Sequence, residues 1–222
     1  MAIKPILFNT EMVRAILDGH KTCTRRLVSS RQNKCKNAAP DEFLKGKRMM
    51  FKPYCDMTDA ELIMTAYKAP YQPGDILYVR ETWKKAPNGY YYYEDWQRND
   101  IADVTKWKPS INMPKEAARI WLRVTDVRVE RLQEIDEDGV WDEGFKFKPP
   151  CLTRVSADGH TCELDGPCMS SIKYCDMTMG ELFGRELWNN TIKKSDLERY
   201  GWDANPYVFV IEFERCEKPE GV

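Results

Sequence analysis

The chain has 222 residues, is 42% hydrophobic and 31% charged, and carries a formal net charge of −1, which allows one well-buried core. This balance excludes nucleic-acid binding through overall charge, so any such affinity requires a local basic patch. No apolar run approaches the roughly 20 residues that cross a bilayer, and the N-terminus lacks the layout of a signal peptide. We therefore expect a soluble, cytoplasmic protein with no membrane partner, whose eight cysteines are reduced thiols or metal ligands.

The N-terminal region predicts a strand, a helix and a second extended segment. Pro5–Phe8 has the composition of a short strand. Asn9 or Thr10 then caps a helix whose apolar residues recur at helical spacing, and Gly19 ends it in a left-handed conformation. The polar and cationic segment Lys21–Arg26 has threonines at alternate positions, which favours an extended conformation.

The middle of the chain predicts an insertion followed by a strand. Periodicity weakens over residues 29–69, where one helix is predicted at Thr58–Tyr67 because Thr58 and Glu61 have the spacing of a capping box. Pro73-Gly74-Asp75 marks a turn, and Ile76–Val79 follows it as a strand.

The second half contains two clear strand patterns. Arg119–Arg131 alternates apolar and polar residues throughout, which is typical of a strand with one buried face, and Tyr207–Phe213 is an apolar β run. Gly89–Tyr93 predicts part of a hairpin, Ile135–Gly144 a short acidic helix or turn, and Gly184–Ile192 another helix.

A short sequence repeat predicts two helices that begin in the same way. The letters YCDMT occur at 54–58 and again at 174–178. Thr178 and Glu181 repeat the capping-box spacing of Thr58 and Glu61. The match is too short to indicate a duplicated fold.

Several of these motifs, in this order, resemble the ASCH family. They are the run GHKTCTRR at 19–26, the turn PGD at 73–75 leading into VRETW, the long alternating strand, Glu143-Gly144 and the closing VIEF strand. The chain is also similar to the longer ASCH proteins of bacterial prophages. The resemblance implies an α+β, mainly β fold: a PUA-like mixed β-barrel with flanking short helices and long insertions.

The same resemblance implies the organisation and the partners of the chain. We expect a single ASCH or PUA-like domain over residues 1–222, with insertions at about 29–69 and 145–180. PUA-like domains are associated with RNA, so the expected ligand is a nucleoside or RNA. The expected oligomeric state is a monomer.

Small bacterial ASCH proteins include amidohydrolases that remove the acetyl group of N4-acetylcytidine with a lysine, a threonine and a glutamate. The matching residues here are Lys21, Thr24 and Glu143. A threonine hydroxyl needs a neighbouring base to become a nucleophile. A lysine serves as that base only if burial or a nearby cation lowers its pKa. Glu143 would bind the exocyclic amine or protonate it as it leaves.

Further residues are candidates for substrate or nucleic-acid contacts through charge, hydrogen bonding or stacking. They are Thr22, Arg25, Arg26, Arg80, Glu81 and Trp83. Two structural alternatives stand beside this interpretation. The segment 21–26 also fits a solvated edge strand, and Arg80 with Glu81 fits a surface ion pair over a core tryptophan.

The insertion at 145–180 contains cysteines and little apolar material. No cofactor is required by the predicted chemistry, but a structural zinc bound by Cys151, Cys162, Cys168 and Cys175, with His160 as an alternative ligand, could order such a segment. No CxxC pair is present, so free thiols are the competing interpretation. Cys23 would be a reactive thiol only if its flanking cations depress its pKa.

Three functions therefore remain open from the sequence. The leading hypothesis is an amidohydrolase acting on an N4-acylated cytidine-like substrate. The alternatives are a non-catalytic RNA-binding module that uses the same cations on phosphates, and a ribonuclease on the same fold.

Overall fold

A computed structural model describes residues 1–29, 32, 40–50, 58–98, 106–145 and 177–221. Seven strands are found in these ranges, and five of them form one mixed sheet. Their bounds are β1 Ile3–Leu7, β2 Cys23–Leu27, β3 Ile76–Arg80, β4 Trp83–Ala86, β5 Gly89–Tyr92, β6 Trp121–Arg131 and β7 Tyr207–Cys216. The large sheet has the order β1-β3-β6-β7-β2, and β4 pairs with β5 in a separate hairpin.

The described helices are short. The α-helices are α1 Thr10–Leu17, α2 Pro40–Met50, α3 Asp59–Ala66, α4 Tyr93–Arg98, α5 Glu137–Asp142, α6 Met179–Leu182, α7 Asn189–Thr191 and α8 Leu197–Tyr200. A π-helix occupies Phe183–Trp188 between α6 and α7. Short 3-10 turns lie at Ser110–Asn112, Lys115–Ala117, Leu132–Glu134, Lys194–Asp196 and Trp202–Ala204.

Strand pairing mixes both directions. β1 runs parallel to β3, with Leu7 opposite Arg80 at the end of the pair. β3 is antiparallel to β6, and β2 is antiparallel to β7 with Thr24 opposite Ile211. The apolar faces of these strands, together with Val13 and Ile16 of α1, form the main buried core, as expected for strands with one face turned inward.

Local interactions at each end of α1 determine where the helix begins and ends. The side chain of Asn9 accepts a hydrogen bond from the Met12 N–H at 2.8 Å, which satisfies one of the open donors of the first turn. Gly19 ends the helix with φ +76, a conformation in which only glycine is unstrained. The predicted cap and stop are both confirmed, and the chain then enters β2.

The predicted strands at Pro5–Phe8, Ile76–Val79, Arg119–Arg131 and Tyr207–Phe213 are confirmed, with bounds that shift by one to three residues. Their mixed α+β arrangement is confirmed as well. The barrel is not: in the described ranges no backbone ladder joins β1 to β2, the two edges of the sheet. One side chain reaches across, because Arg26 of β2 donates to the Leu7 carbonyl at 3.2 Å.

The chain divides into two compact units. The first comprises residues 1–130, 142–144 and 207–222, and the second comprises 131–141 and 145–206. In the second unit, the predicted helix at Gly184–Ile192 is helical but begins as a π-helix. Gly184 packs against the Trp202 ring so closely that a Cβ would come within 2.0 Å of it. The predicted single domain with two insertions stays a prediction.

Both predicted capping boxes are confirmed. Thr58 accepts from the Glu61 N–H and Glu61 accepts from the Thr58 N–H, and Thr178 and Glu181 do the same. The two helices therefore start through identical local chemistry. In the described part of the chain, no helix combines the length and the apolar character that a membrane span requires.

Candidate functional site

Lys21 and Glu143 meet across 122 residues of sequence and form an isolated antiparallel β-bridge. The amide of Lys21 donates to the Ala15 carbonyl at 3.1 Å, which holds the residue against the end of α1. The neighbouring Thr22 N–H donates to the Asp142 carbonyl at 2.9 Å. The backbone itself therefore places Glu143 beside the start of β2.

The Lys21 ammonium is buried and fully bonded. Its Nζ donates to Glu143 Oε2 at 2.6 Å and to the carbonyls of Glu143 and Cys23 at 2.8 Å each. An ammonium has three protons to donate, so all three have acceptors. The Lys21 and Glu143 side chains are 0% and 3% exposed, and a buried pair of this kind is tolerated only when both charges are well compensated.

The second carboxylate oxygen of Glu143 binds Arg25. The Arg25 N–H donates to Glu143 Oε1 at 2.6 Å, and the Arg25 guanidinium lies 3.5 Å from the same oxygen. The guanidinium also lies 3.5 Å from Glu130. Glu143 is therefore the anionic centre of a buried cluster with two cations.

Thr24 lies next to this cluster on β2 and is 1% exposed. Side chains alternate along a strand, so Thr24 shares a face of β2 with Arg26, whereas Cys23 and Arg25 share the other. Among the described residues, no hydrogen bond of the Thr24 hydroxyl is found. The chemistry expected from the sequence needs a hydrogen bond between the Thr24 hydroxyl and its lysine base, and no such bond is present among the described residues.

Cys23 is a buried thiol rather than a reactive one. Burial is the main cause that raises its pKa from 9.0 to about 12, and the nearby Glu143 carboxylate raises it further, against smaller opposite effects of Arg25 and Lys21. The thiolate is the nucleophilic form of cysteine. The prediction that Cys23 faces the interior is confirmed.

Arg26 and Arg80 line a cleft of about 370 Å³. The other lining residues are Pro5, Ile6, Leu7 and Tyr71. Arg26 donates to the Leu7 carbonyl, and Arg80 donates to the Ile111 carbonyl at 3.2 Å. The buried Nε of Arg80 has no hydrogen-bond partner in the described part of the molecule; an unmet buried donor costs about 1–3 kcal/mol.

Phe8 connects the cleft with the Lys21 cluster. Its ring centroid is 5.5 Å from Lys21 Nζ and 5.5 Å from Arg26 Cζ, distances at which the ring face attracts a cation. Burial lowers the pKa of Arg26, and the Glu143 carboxylate partly offsets this effect. Arg26 is therefore electrostatically coupled to Glu143 although the two form no ion pair.

Glu81 and Trp83 lie at a different place from Lys21. Both oxygens of Glu81 accept from Arg119 at 2.9 Å, and burial raises the Glu81 pKa against the opposing effect of Arg119. Trp83 is 5% exposed and packs against Tyr90, with Lys108 Nζ 5.1 Å from its ring. The structural interpretation is favoured for these two residues, with one change: the partner of Glu81 is Arg119, not Arg80.

The remaining predicted residues are placed as follows. Thr22 is exposed and its hydroxyl donates to Asp142 Oδ1 at 2.7 Å. Cys151, His160, Cys162, Cys168 and Cys175 lie outside the described residues, so the zinc site remains a prediction. Within the described residues, no cluster of three or more His, Cys, Asp or Glu is arranged to hold a metal ion.

Four residues around the site were missed by the sequence analysis: Phe8, Tyr71, Arg119 and Glu130. Phe8 is predicted only as the end of a strand, and Tyr71 lies between the predicted insertion at 29–69 and the turn at Pro73; no local pattern distinguishes either residue. Arg119 and Glu130 are predicted only as members of the alternating strand Arg119–Arg131. Their roles depend on contacts with distant segments, which a linear pattern does not reveal.

The fold and site define a mixed α+β protein with a buried lysine–glutamate pair beside a cationic cleft. No protein-family model matches the chain, and no curated protein matches it either. A search of solved structures finds similarity to the ASCH domain from Lactobacillus crispatus JV V101, with a TM-score of 0.34 and 12% identity, over 96% of this chain and 79% of that one.

Proposed function

We propose that the protein is a hydrolase that removes an acyl group from the exocyclic amine of a cytidine-like nucleoside. The observation that carries the proposal is the buried contact between Lys21 Nζ and Glu143 Oε2 at 2.6 Å. The same carboxylate also accepts from the N–H of Arg25, the residue that follows Thr24. Strongly coupled buried charges beside a hydroxyl are common at catalytic sites.

The short Lys21–Glu143 hydrogen bond supports a proton path. Transfer of one ammonium proton to Glu143 leaves a neutral Lys21 amine. Once a local rearrangement brings the Thr24 hydroxyl to this amine, Lys21 can accept its proton as Oγ1 attacks the acyl carbon. The C–N bond then breaks, and protonated Glu143 gives its proton to the leaving amine. Water hydrolyses the resulting threonine ester, which releases the carboxylic acid and regenerates the hydroxyl.

Neighbouring cations support charge development in this reaction. Attack on the acyl carbon places negative charge on its oxygen, and preorganised donors in a buried site stabilise such charge strongly. Arg25 is 5% exposed and lies within the same cluster. Because Thr24 is also buried, substrate entry requires a local opening of the segment around β2.

The motif resemblance adds independent support. The run GHKTCTRR, the PGD turn and Glu143-Gly144 follow the order seen in the ASCH family, to which we assign the chain within this proposal. The PUA-like barrel belongs to the same assignment. The order of the strands in the sheet and the reach of Arg26 to the Leu7 carbonyl are compatible with such a fold.

The test measures acetate release from N4-acetylcytidine by the purified chain. We expect Thr24→Ala to lower the turnover by about 100-fold or more, because the nucleophile is removed. Thr24→Ser should retain part of the activity, since it keeps a hydroxyl. Thr65→Ala on the exposed side of α3 is the matched control and should keep wild-type turnover.

Two results would overturn the proposal. One is full activity of Thr24→Ala together with a folded protein by circular dichroism. The other is the absence of acetate release by the wild type while it binds RNA with an affinity that falls with salt, which would favour the non-catalytic RNA-binding module.

A further inference from the structure

We propose that the cleft between Arg26, Arg80 and Tyr71 binds the terminal phosphate monoester of a nucleotide. This inference deepens the proposed function and rests on it for the identity of the nucleoside part. It states that the substrate is phosphorylated, and that the phosphate is held by two arginines outside the Lys21–Glu143 cluster.

The first support is a difference in charge pairing among the arginines. Arg14, Arg25 and Arg119 each contact a carboxylate within 3.5 Å. Arg26 and Arg80 line the cleft, and within the described residues neither forms an ion pair with a carboxylate. Each guanidinium donates only to a backbone carbonyl, of Leu7 and Ile111 respectively. Two cations therefore face one concavity, and neither is ion-paired with a carboxylate among the described residues.

The second support is the spare hydrogen-bonding capacity of these side chains. A guanidinium has five N–H donors in a planar fork that matches a phosphate group. Arg80 uses one of its donors on Ile111, and its buried Nε has no acceptor among the described residues. A phosphate supplies several acceptor oxygens, and its negative charge would pair with both guanidinium groups.

The shape of the cleft fits a small ligand. Its volume of about 370 Å³ lies at the lower end of the range of small-molecule sites, roughly 300–1,000 Å³. The Tyr71 hydroxyl donates to the Pro5 carbonyl at 2.9 Å, which fixes the ring on one side. Leu7 is 44% exposed at the same place, and an exposed apolar side chain beside two cations suits the sugar or base of a nucleotide.

The third support is the distance to the candidate catalytic cluster. Lys21 Nζ and Arg26 Cζ each lie 5.5 Å from the centroid of the same Phe8 ring, so they are at most twice that distance apart. Thr24 and Arg26 also share one face of β2. This separation is within the length of a single nucleotide, so a phosphate at Arg26 and Arg80 would leave its base to reach Lys21 and Thr24 once the segment around β2 opens.

The experiment compares equilibrium binding of cytidine 5′-monophosphate and cytidine by calorimetry at low salt. We expect the monophosphate to bind at least about tenfold more tightly in the wild type. Arg80→Met should reduce this preference to about twofold or less, because one of the two guanidinium groups that bind the phosphate is removed. Arg80→Lys keeps the charge without the fork and should give an intermediate preference. Arg123→Met, which removes an exposed arginine on β6, should preserve the preference.

Four outcomes would overturn the inference: equal binding of the two ligands by the wild type, an unchanged preference in a folded Arg80→Met protein, an equal loss in Arg123→Met, or binding of a cytidine pentanucleotide without a terminal phosphate as tightly as the monophosphate. Because the experiment measures binding and not turnover, its result can be interpreted even if the protein has no hydrolase activity. Conversely, acetate release without phosphate preference refutes only the phosphate site.

Discussion

Gly144 lies so close to Ala15 that a Cβ built on it would come within 2.6 Å of the Ala15 Cβ and 3.0 Å of the Lys21 Cβ. Its φ of +75 is also one that other residues adopt with strain. The glycine that follows Glu143 therefore allows residues 142–144 to approach the helix α1 and the start of β2. The position of the Glu143 carboxylate depends on this close approach.

The first prediction separates backbone strain from the steric clash. Gly144→Ala should lower the free energy of unfolding by about 2–5 kcal/mol, because left-handed strain and overpacking add. Gly19→Ala is the matched control, since Gly19 has a φ of +76 and nothing within 4 Å of a built Cβ. It should lose only about 1–2 kcal/mol in urea denaturation. Equal losses in the two variants would show that the contact with Ala15 is unimportant.

The second prediction concerns the buried ion pair. Lys21→Met should destabilise the fold by about 3–5 kcal/mol, because it leaves the Glu143 carboxylate buried without its closest cation. Arg123→Met breaks an exposed pair with Glu214 at 3.7 Å and should cost less than about 1 kcal/mol. Adding Glu143→Leu to Lys21→Met should cost less than the sum of the two single changes, as measured in a double-mutant cycle. Strict additivity would contradict the coupling.

The third prediction is an alkaline loss of stability caused by Cys23. Its native pKa is raised from 9.0 to about 12, so between these values the native state holds a proton that the unfolded state has released. The contribution to stability is complete below pH 9 and falls as pH rises through the native pKa, by up to about 1.4 kcal/mol per pH unit. Urea denaturation at pH 8, 9 and 10 measures it.

Cys23→Ala supplies the control for this measurement. Tyrosines and lysines titrate in the same interval in both proteins, so only the difference between the two pH profiles reports on the thiol. The wild type should lose stability more steeply than Cys23→Ala above pH 9. Parallel profiles would mean that the thiol titrates normally in the folded protein.

The fourth prediction concerns Glu81 and Arg119. Burial raises the Glu81 pKa and Arg119 lowers it, so Arg119→Met should raise the native pKa further. A carboxyl group with a raised native pKa binds a proton on folding, and its stability contribution is lost as pH rises through that pKa. The loss of stability that Arg119→Met causes, measured against wild type at the same pH, should therefore be smaller at pH 5 than at pH 8.

Adding Glu81→Gln to Arg119→Met isolates this effect in thermal unfolding experiments. The glutamine cannot ionise, so the pH dependence introduced by Arg119→Met should disappear in the double variant. A persistent pH dependence would place the responsible group elsewhere, for example at Asp95, which also binds Arg119 at 2.8 Å.

Much of the secondary structure could be predicted because its signals are local. Asn9 and Gly19 bound α1 through the hydrogen bonds and the φ of their own residues, and the two threonine–glutamate boxes start α3 and α6 in the same way. The alternation of β6 follows from its one buried face. The helix α2 was missed because its surroundings are rich in lysine and arginine and lack a clear apolar period. The close packing of Gly184 against the Trp202 ring joins residues that no local pattern relates.

The sequence predicted the residues of the candidate site but not the hydrogen bonds among them. The resemblance indicated Lys21, Thr24 and Glu143, and the structure joins Lys21 to Glu143 directly. It gives Glu143 a second partner in Arg25 and leaves the Thr24 hydroxyl without a hydrogen bond to a described residue. The assignment of Glu81 to Arg80 was wrong: Glu81 lies just after the end of β3, and both of its carboxylate oxygens accept from Arg119.

By itself the sequence determined which segments become helices and strands and where several of them end, because caps, turn glycines and apolar periods act within a few residues. Only the tertiary structure decided that β1 runs parallel to β3, that Lys21 uses all three protons on Glu143 and Cys23, and that Arg26 and Arg80 face one cleft. Apart from the local bond of Lys21 to Cys23, these relationships join residues that are 54 to 122 positions apart. Their energies depend on burial and on charges brought together by folding, which no local pattern encodes.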